Sequence, residues 1–366
     1  MDVAHARGVR DTGLTNTALQ AIAGARHAPY ITHDTQGNMS LTPNFSQRIR
    51  IWFQSQLANA GYYLSRDAEH RKDIARIEKY VASIAENVAT DDPLESARLQ
   101  VALAEEEHRI RVEVAAKTPE NLLLRGRRVF SQADEDGIIA AIFANLDGRK
   151  TFIEIACGNG LENNTHLLLL CGWKGVWVDG SERHIDYIQA ELGGLMFPRL
   201  LVERQFIDLD NVGALIKRYC DFLGDGDVDF FSLDIDGNDL AILKESLKFF
   251  APRVICVEYN AKFPPPLEMS IRYDASHLWA GDDYQGCSLM ALVEATRSRY
   301  TLLTCGISGV NAFFVRNDLA HRFRIYSPED LYQPARYHRV HQIPGHRSTL
   351  KWVRNVIRED RAASLP

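Results

Sequence analysis

Cysteine is sparse and unevenly placed. The six residues fall at 157, 171, 220, 256, 287 and 305, so the first 150 positions hold none. No CxxC pair and no Cys/His run has metal-ligand spacing, and Cys256 (VICVEY) and Cys305 (YTLLTCG) sit in apolar strand-like runs. Buried reduced thiols fit that pattern better than disulfides and imply a cytoplasmic setting. The opening MDVAHARGVRDTG lacks the apolar stretch of a signal peptide. No apolar run approaches the roughly 18 residues of a membrane span. There is no internal repeat and no Ser/His/Asp arrangement for nucleophilic catalysis. What remains is ordinary globular composition, with 46% apolar and 25% charged residues in a chain of 366. That length suits two domains, or one large domain with an extension.

The net charge of −6 names no partner, but it conceals three different segments. Residues 1–120 carry 14 Lys+Arg against 16 Asp+Glu, residues 121–315 carry 18 against 27, and residues 316–366 carry 10 against 5. The tail is the basic part. Residues 1–43 are polar and read as irregular chain. A helical extension follows over 44–120. Ile49, Trp52, Phe53 and Leu57 recur at helical spacing, and Ile74, Ile77, Val81, Ile84 and Val88 form a short heptad seam. Asp92 then reads as an N-cap, Pro93 as a first-turn residue and Glu95 as the capping-box partner of a helix running to about Ala116. This hairpin suggests a scaffold or a homo-oligomer contact.

From Thr151 the texture changes. TFIEIA, GVWVDG, LLVERQ, VDFFSLDI and RVICVEY read as strands. Helical patterns alternate with them near 162–171, 182–192, 210–223, 238–250 and 286–298. YTLLTCG and NAFFVRN close the series as a hairpin, so the last strand runs antiparallel to its neighbour. The expected fold is α/β: a Rossmann-like, mostly parallel sheet with helices on both faces, over 121–318. Ligands of such sheets bind at the strands' carboxyl ends, near the switch point.

The first strand runs into Glu154-Ile-Ala-Cys-Gly158-Asn-Gly160, then Leu-Glu-Asn163-Asn164. Gly158 and Gly160 permit a tight turn and close approach of backbone to ligand. The second strand ends in Asp179, 21 residues after Gly158, where a carboxylate suits the two hydroxyls of a ribose or caps the following GSER turn. A dinucleotide fingerprint needs a third glycine at 163, which is asparagine here. Glu154 and Glu162 are poor company for a diphosphate but suit a cation. S-adenosyl-L-methionine carries an ammonium, a sulfonium and a ribose, and no phosphate.

With these residues in view, EIACGNG, Asp179 and the reversed hairpin resemble class I S-adenosylmethionine-dependent methyltransferases. FSQADEDGI, FSLDIDGND and GVNAFFVRN more narrowly resemble the FkbM-like members, over about Arg127 to Arg316. The resemblance implies a seven-stranded sheet and O-methylation of hydroxyls on sugars, polyketides or related metabolites. It implies that Glu154, Gly158 and Gly160 line the methionine end, with Asn164 beside them. Asp179 would hold the ribose, Asp208 would lie near the adenine, and Gln132 and Glu135 would cover the cofactor. Two departures stand out: Ala156 replaces the loop's usual first glycine, and DIDGND replaces the usual acid-x-Glu-Gly.

Asp234, Asp236, Asn238 and Asp239 crowd the end of the fourth strand, and the fifth ends Glu258-Tyr259-Asn260. The spacing only superficially imitates a calcium loop, because its glycine is misplaced and a strand precedes it. Asp234 or Asp236 would act as general base toward an acceptor hydroxyl. Alternatively Asp234, Glu258 and Asn260 would ligate a divalent ion such as Mg2+. Capping of the next helix, by Asp239 above all, is the plain structural alternative. The insertion from Ala261 to Gly286 supplies His277 as a rival base. Its Trp279 and Tyr284, with Tyr259 and Asn260, would contact a sugar or other small-molecule acceptor. The tail's Arg336, His338, Arg339, His341, His346, Arg347, Lys351 and Arg354 would attract a phosphate or simply offset the acidic core. Its aromatics are too sparse for nucleic-acid binding. A non-catalytic binding scaffold and a nicotinamide oxidoreductase remain the alternatives to methyl transfer.

Overall fold

The computed structural model describes residues 93–193, 199–224, 227–340, 350, 353 and 354. The irregular 1–43 segment, the helical patterns at 46–60 and 74–88, and His341, His346, Arg347 and Lys351 lie outside the described residues.

Helix α1 spans Pro93–Lys117, starting at the proline that the DDP sequence marks. Ile110 and Val114 pack against Leu123 and Ile307, and most of the remaining helix surface is exposed. Arg111 secures it by donating to Leu123 O (2.8 Å) and Gly126 O (2.7 Å).

The sheet has seven strands in the order β3-β2-β1-β4-β5-β7-β6. They are β1 Thr151–Ile155, β2 Lys174–Asp179, β3 Leu200–Arg204, β4 Phe230–Leu233, β5 Val254–Glu258, β6 Tyr300–Cys305 and β7 Asn311–Arg316. β7 alone is reversed, lying antiparallel to both β5 and β6. The Rossmann-like architecture expected from the strand–helix alternation is therefore present. The intervening helices are α2 Glu135–Phe143, α3 His166–Leu170, α4 Glu182–Leu192, α5 Val212–Leu223, α6 Asp239–Ser246 and α7 Leu289–Thr296, followed by α8 Pro328–Leu331.

Strand alternation divides the core into two layers. Phe152, Phe230, Val254, Cys256 and Phe313 face one layer with α2, α3 and α4. Ile153, Phe231, Ile255, Val257 and Phe314 face the other with α5, α6 and α7. Gly175 on β2 is fixed by this packing, since a Cβ there would lie 2.0 Å from the Phe152 ring. β1 is the switch point. The chain leaves it toward β2 and β3, then returns on its other side as β4, so a crevice opens above the ends of β1 and β4.

Candidate active site

The β1–α3 loop turns through three left-handed residues, Ala156 (φ 63°), Gly158 (φ 57°) and Gly160 (φ 76°). A Cβ on Gly158 would meet nothing within 4 Å, so its backbone borders open space, whereas one on Gly160 would sit 3.0 Å from Trp177. Glu154 is buried beneath the loop. It accepts from Asn164 N (2.8 Å), Thr165 N (3.1 Å), Asn163 Nδ2 (2.8 Å) and the Thr165 hydroxyl. Burial pushes its carboxyl up against the pull of those donors. Glu154 therefore holds the chain after the loop rather than reaching its open side. This also explains why α3 begins at His166 and not near 162: a remote carboxylate takes the amides that would have opened an earlier turn. Asn164 is turned into the sheet, donating to Ser232 Oγ (3.0 Å) and Cys256 Sγ (3.6 Å).

Asp179 serves the loop and the turn together. One oxygen accepts from Gly158 N (2.9 Å), and the other from Ser181 N (2.8 Å), with His184 Nδ1 at 3.1 Å. A carboxylate has about four acceptor positions, so one remains for a ligand. Beside it Phe206 is 52% exposed, its ring 3.3 Å from where Gly180 would carry a Cβ. Asp208 accepts from Asp210 N (3.0 Å) and Asn211 N (2.9 Å), which shapes the entry to α5. On the opposite wall Gln132 is half-buried in a strap ahead of α2. Asp136 fixes that strap by accepting from the amides of Val129, Phe130 and Ser131 (2.7–2.8 Å). Glu135 accepts from Ala133 N (2.8 Å) and Asn311 Nδ2 (3.2 Å).

The parallel register pairs Leu233 with Val257, which sets the next residues, Asp234 and Glu258, side by side. Carboxylate oxygens of Asp234, Asp236 and Glu258 all come within 4.8 Å of one another. Asp236 adopts φ 55°, a left-handed conformation uncommon outside glycine. Asp239 clamps the turn, accepting from Ile235 N (2.8 Å) and Gly237 N (2.9 Å). Burial, then the charges of Asp236 and Asp239, push Asp234 up to about 8. Burial, then Asp234, pushes Glu258 well above the usual range. The Glu258 Oε2 atom is shielded and has no hydrogen-bond partner.

Two residues expected here are directed elsewhere. Tyr259 follows Glu258 and so faces the opposite layer, buried, with its hydroxyl donating to Gln333 O (2.7 Å). It is core rather than acceptor surface. Asn260 donates to Asp283 O (3.1 Å) and Gln285 O (3.0 Å) and accepts from Lys262 N (3.1 Å). It ties the insertion's two ends together and is not among the clustered oxygens.

The insertion itself folds back over the site. Asn238 Nδ2 donates to Asp274 O (2.8 Å), and Leu209 N donates to the Tyr273 hydroxyl (3.1 Å). His277 packs on Gly237 so closely that a Cβ there would lie 2.4 Å from its Cδ2, and its Nε2 has no partner. Trp279 is half-exposed with its indole N–H donating to Asp282 O (2.7 Å), which leaves the ring face available. Tyr284 is exposed nearby, 6.1 Å from the His277 ring.

The described basic tail is engaged inside the molecule. His338 and Arg339 contact Glu106 of α1 (3.0 and 2.9 Å), and Arg339 also reaches Glu107 and Leu103 O. Arg336 donates to Ile307 O (2.8 Å), and Arg354 pairs with Glu191 (2.7 Å). These cations fasten helices rather than forming a free anion-binding face. Among the described residues no helix is long and apolar enough to cross a membrane.

No known protein family and no curated protein matches the sequence. Solved structures do show similarity. An O-methyltransferase from Bacillus cereus in complex with SAH is 16% identical over 66% of this chain and 97% of that chain, with a TM-score of 0.34. The N-terminal domain of EvdMO1 with SAH bound is 14% identical over 57% and 94%, with a TM-score of 0.34. The magnesium protoporphyrin IX methyltransferase from Synechocystis PCC 6803 with bound SAM is 14% identical over 50% and 78%, with a TM-score of 0.32. Sequence reading passed over Phe206 and Asn311. Phe206 carried no signal, because exposure cannot be read from one residue. Asn311 did carry one, as a lone amide opening the apolar run NAFFV.

Proposed function

We propose that the protein is an S-adenosyl-L-methionine-dependent O-methyltransferase acting on a hydroxyl of a glycan, nucleotide sugar or secondary metabolite. The observation that carries this reading is the imbalance of charge at the strands' carboxyl ends. The charges that raise Asp234 and Glu258 are all carboxylates, and Lys262, the described cation nearest Glu258 along the chain, is paired with Asp283. Burial and mutual repulsion hold these acids protonated until a cation arrives, so such a crevice offers a phosphate no counter-charge and favours a cationic ligand. The residues fit the cofactor. Gly158 borders open space for its methionine end, Asp179 retains an acceptor position for a ribose hydroxyl, and Phe206 offers a ring beside it. Gln132 would cover it from the strap.

When bound, the cofactor supplies an already activated methyl group, so the protein's work is placement and proton removal. Asp234 or Asp236 would take the hydroxyl proton, with His277 over Gly237 as the rival base. Trp279 and Tyr284 would stack on the acceptor. A second reading is favoured by the clustered oxygens: Asp234, Asp236 and Glu258 suit one hard divalent ion such as Mg2+, which would orient the hydroxyl. The tail residues Arg336, His338 and Arg339 give no support to an anionic acceptor. A non-catalytic scaffold would not need this concentration of unpaired acids. A nicotinamide oxidoreductase would need to hold a diphosphate, for which these acids offer no counter-charge.

Calorimetry with SAH tests the cofactor. Wild type is expected to bind, and Asp179→Ala to abolish binding with the circular dichroism spectrum intact; unchanged affinity in the variant would sink the assignment. Transfer of a tritiated methyl group to a glycan panel separates the enzyme from the scaffold.

A further inference from the structure

Strand alternation places a row of polar groups on the α2 side of the sheet. Phe152, Phe230, Val254 and Phe313 mark that side, so Glu154, Ser232, Asp234, Cys256, Glu258 and Asn311, at even spacings from them, share it. Five of these six positions belong to strands already tied to the cofactor loop or the acid cluster. Asn311, which opens β7, is the sixth.

Its surroundings explain why an amide stands there. Asn311 is directly paired with Glu258 across the antiparallel β5–β7 ladder. Opposite residues in such a ladder project from the same face with Cβ atoms about 4.5–5.5 Å apart. The Asn311 Nδ2 donates to Glu135 Oε1 (3.2 Å), and the other oxygen of Glu135 accepts from Ala133 N (2.8 Å) in the strap that carries Gln132. Asn311 is 3% exposed, yet its Oδ1 has no partner, and neither has Glu258 Oε2 on the residue opposite. The rest of β7 through Val315 is apolar, so sheet packing alone gives no reason for a carboxamide at this position.

We infer that Asn311 is a positioning residue that couples the two walls of the site, its Nδ2 orienting Glu135 beneath the cofactor strap and its Oδ1 facing Glu258 of the acid cluster. Asn311 touches neither substrate directly. It acts through the two carboxyl groups. One amide thus makes the placement of the strap depend on the wall that receives the acceptor.

The inference rests on the methyltransferase reading, and SAH calorimetry on wild type separates the two, because absent binding overturns that reading and this inference together. Given wild-type binding, Asn311→Leu removes the hydrogen bond to Glu135 and the oxygen facing Glu258 at similar volume. Its SAH dissociation constant is expected to rise about tenfold, the loss of one buried charge-assisted contact. Glu135→Gln should weaken binding to a similar degree, and the double variant should bind no more weakly than Glu135→Gln alone, because Asn311 acts through Glu135. Fully multiplicative losses, or an unchanged affinity in Asn311→Leu, would overturn the inference. Should Asn311→Leu fail to fold, Asn311→Ser, which keeps a shorter donor, carries the same comparison. With an acceptor from the transfer assay, Asn311→Leu should lower kcat at least tenfold while the acceptor KM changes less than about twofold. A loss confined to KM contradicts a positioning role toward Glu258.

Discussion

Asp234 and His277 flank the same turn, one at the end of β4 and the other in the insertion packed on Gly237. Their roles are separable by substitution. Asp234→Asn keeps the shape of the carboxyl and relieves like-charge repulsion. SAH affinity should hold while methyl transfer falls by about 10²–10⁴-fold, the range for loss of a general base. Turnover equal to wild type would pass the role to Asp236 or His277. Gly237→Ala probes the other side. A Cβ 2.4 Å from the His277 ring forces the imidazole away, while Asp234, Glu258 and the sheet stay in place. Hydrogen–deuterium exchange should rise across 273–284 and stay at wild-type levels in β1, β4 and β5. Unaltered exchange in the insertion would show that His277 yields without releasing it.

At the scale of elements, α1 is held by side chains more than by its own amphipathicity, since Ile110 is its one buried apolar residue among those described. The tie at its centre is Arg339, buried between Glu106 and Glu107. Removing one partner of a buried pair costs about 3–5 kcal/mol. Arg339→Ala should therefore release 336–340 and loosen α1 near Leu103, which limited proteolysis would detect as a new cleavage ahead of an intact sheet domain. Resistance equal to wild type would mean that Ile110 and Arg111 hold the helix alone. These elements were legible in the sequence to different depths. β-branched and aromatic runs marked every strand, and Pro93 marked a helix start that the structure keeps. At the carboxyl ends, Asp234 and Glu258 stand side by side as the strand pattern suggested. What the sequence withheld is which lone pair each polar residue uses. Glu154, Asn164 and Asn260 sit where a ligand-binding residue would, but each is already bound to protein groups from distant turns. The tail's charge was visible, while its partners on α1, more than 200 residues away in sequence, were not.

Across the whole molecule the uneven charge becomes a pH dependence with two limbs. Glu106 lies in the α1–tail clamp. Burial alone would raise it, but His338 and Arg339 outweigh that and hold it at about 2, against an ordinary 4.5. A carboxyl depressed in the folded state stabilises above its unfolded value, and that contribution is lost as pH falls from 4.5 toward 2. Asp134 ends the strap ahead of α2. Burial, then the charge of Glu135, raises it to about 8 from 3.8. Its sign is opposite: the folded state binds the proton more tightly, so stability is greatest below 3.8 and declines as pH rises toward 8. The ligand-free protein should therefore melt highest on the acid side of neutrality. Glu106→Gln should flatten the acid limb and leave the alkaline one. Asp134→Asn, which can still accept from Ile307 N, should make the alkaline limb shallower, the remainder coming from Asp234 and Glu258, and leave the acid one. Differential scanning fluorimetry from pH 3 to pH 9 reads both limbs. An alkaline limb unchanged in Asp134→Asn would mean that this carboxyl does not titrate across the range, and the acid cluster at β4 and β5 would then be the remaining source of the decline.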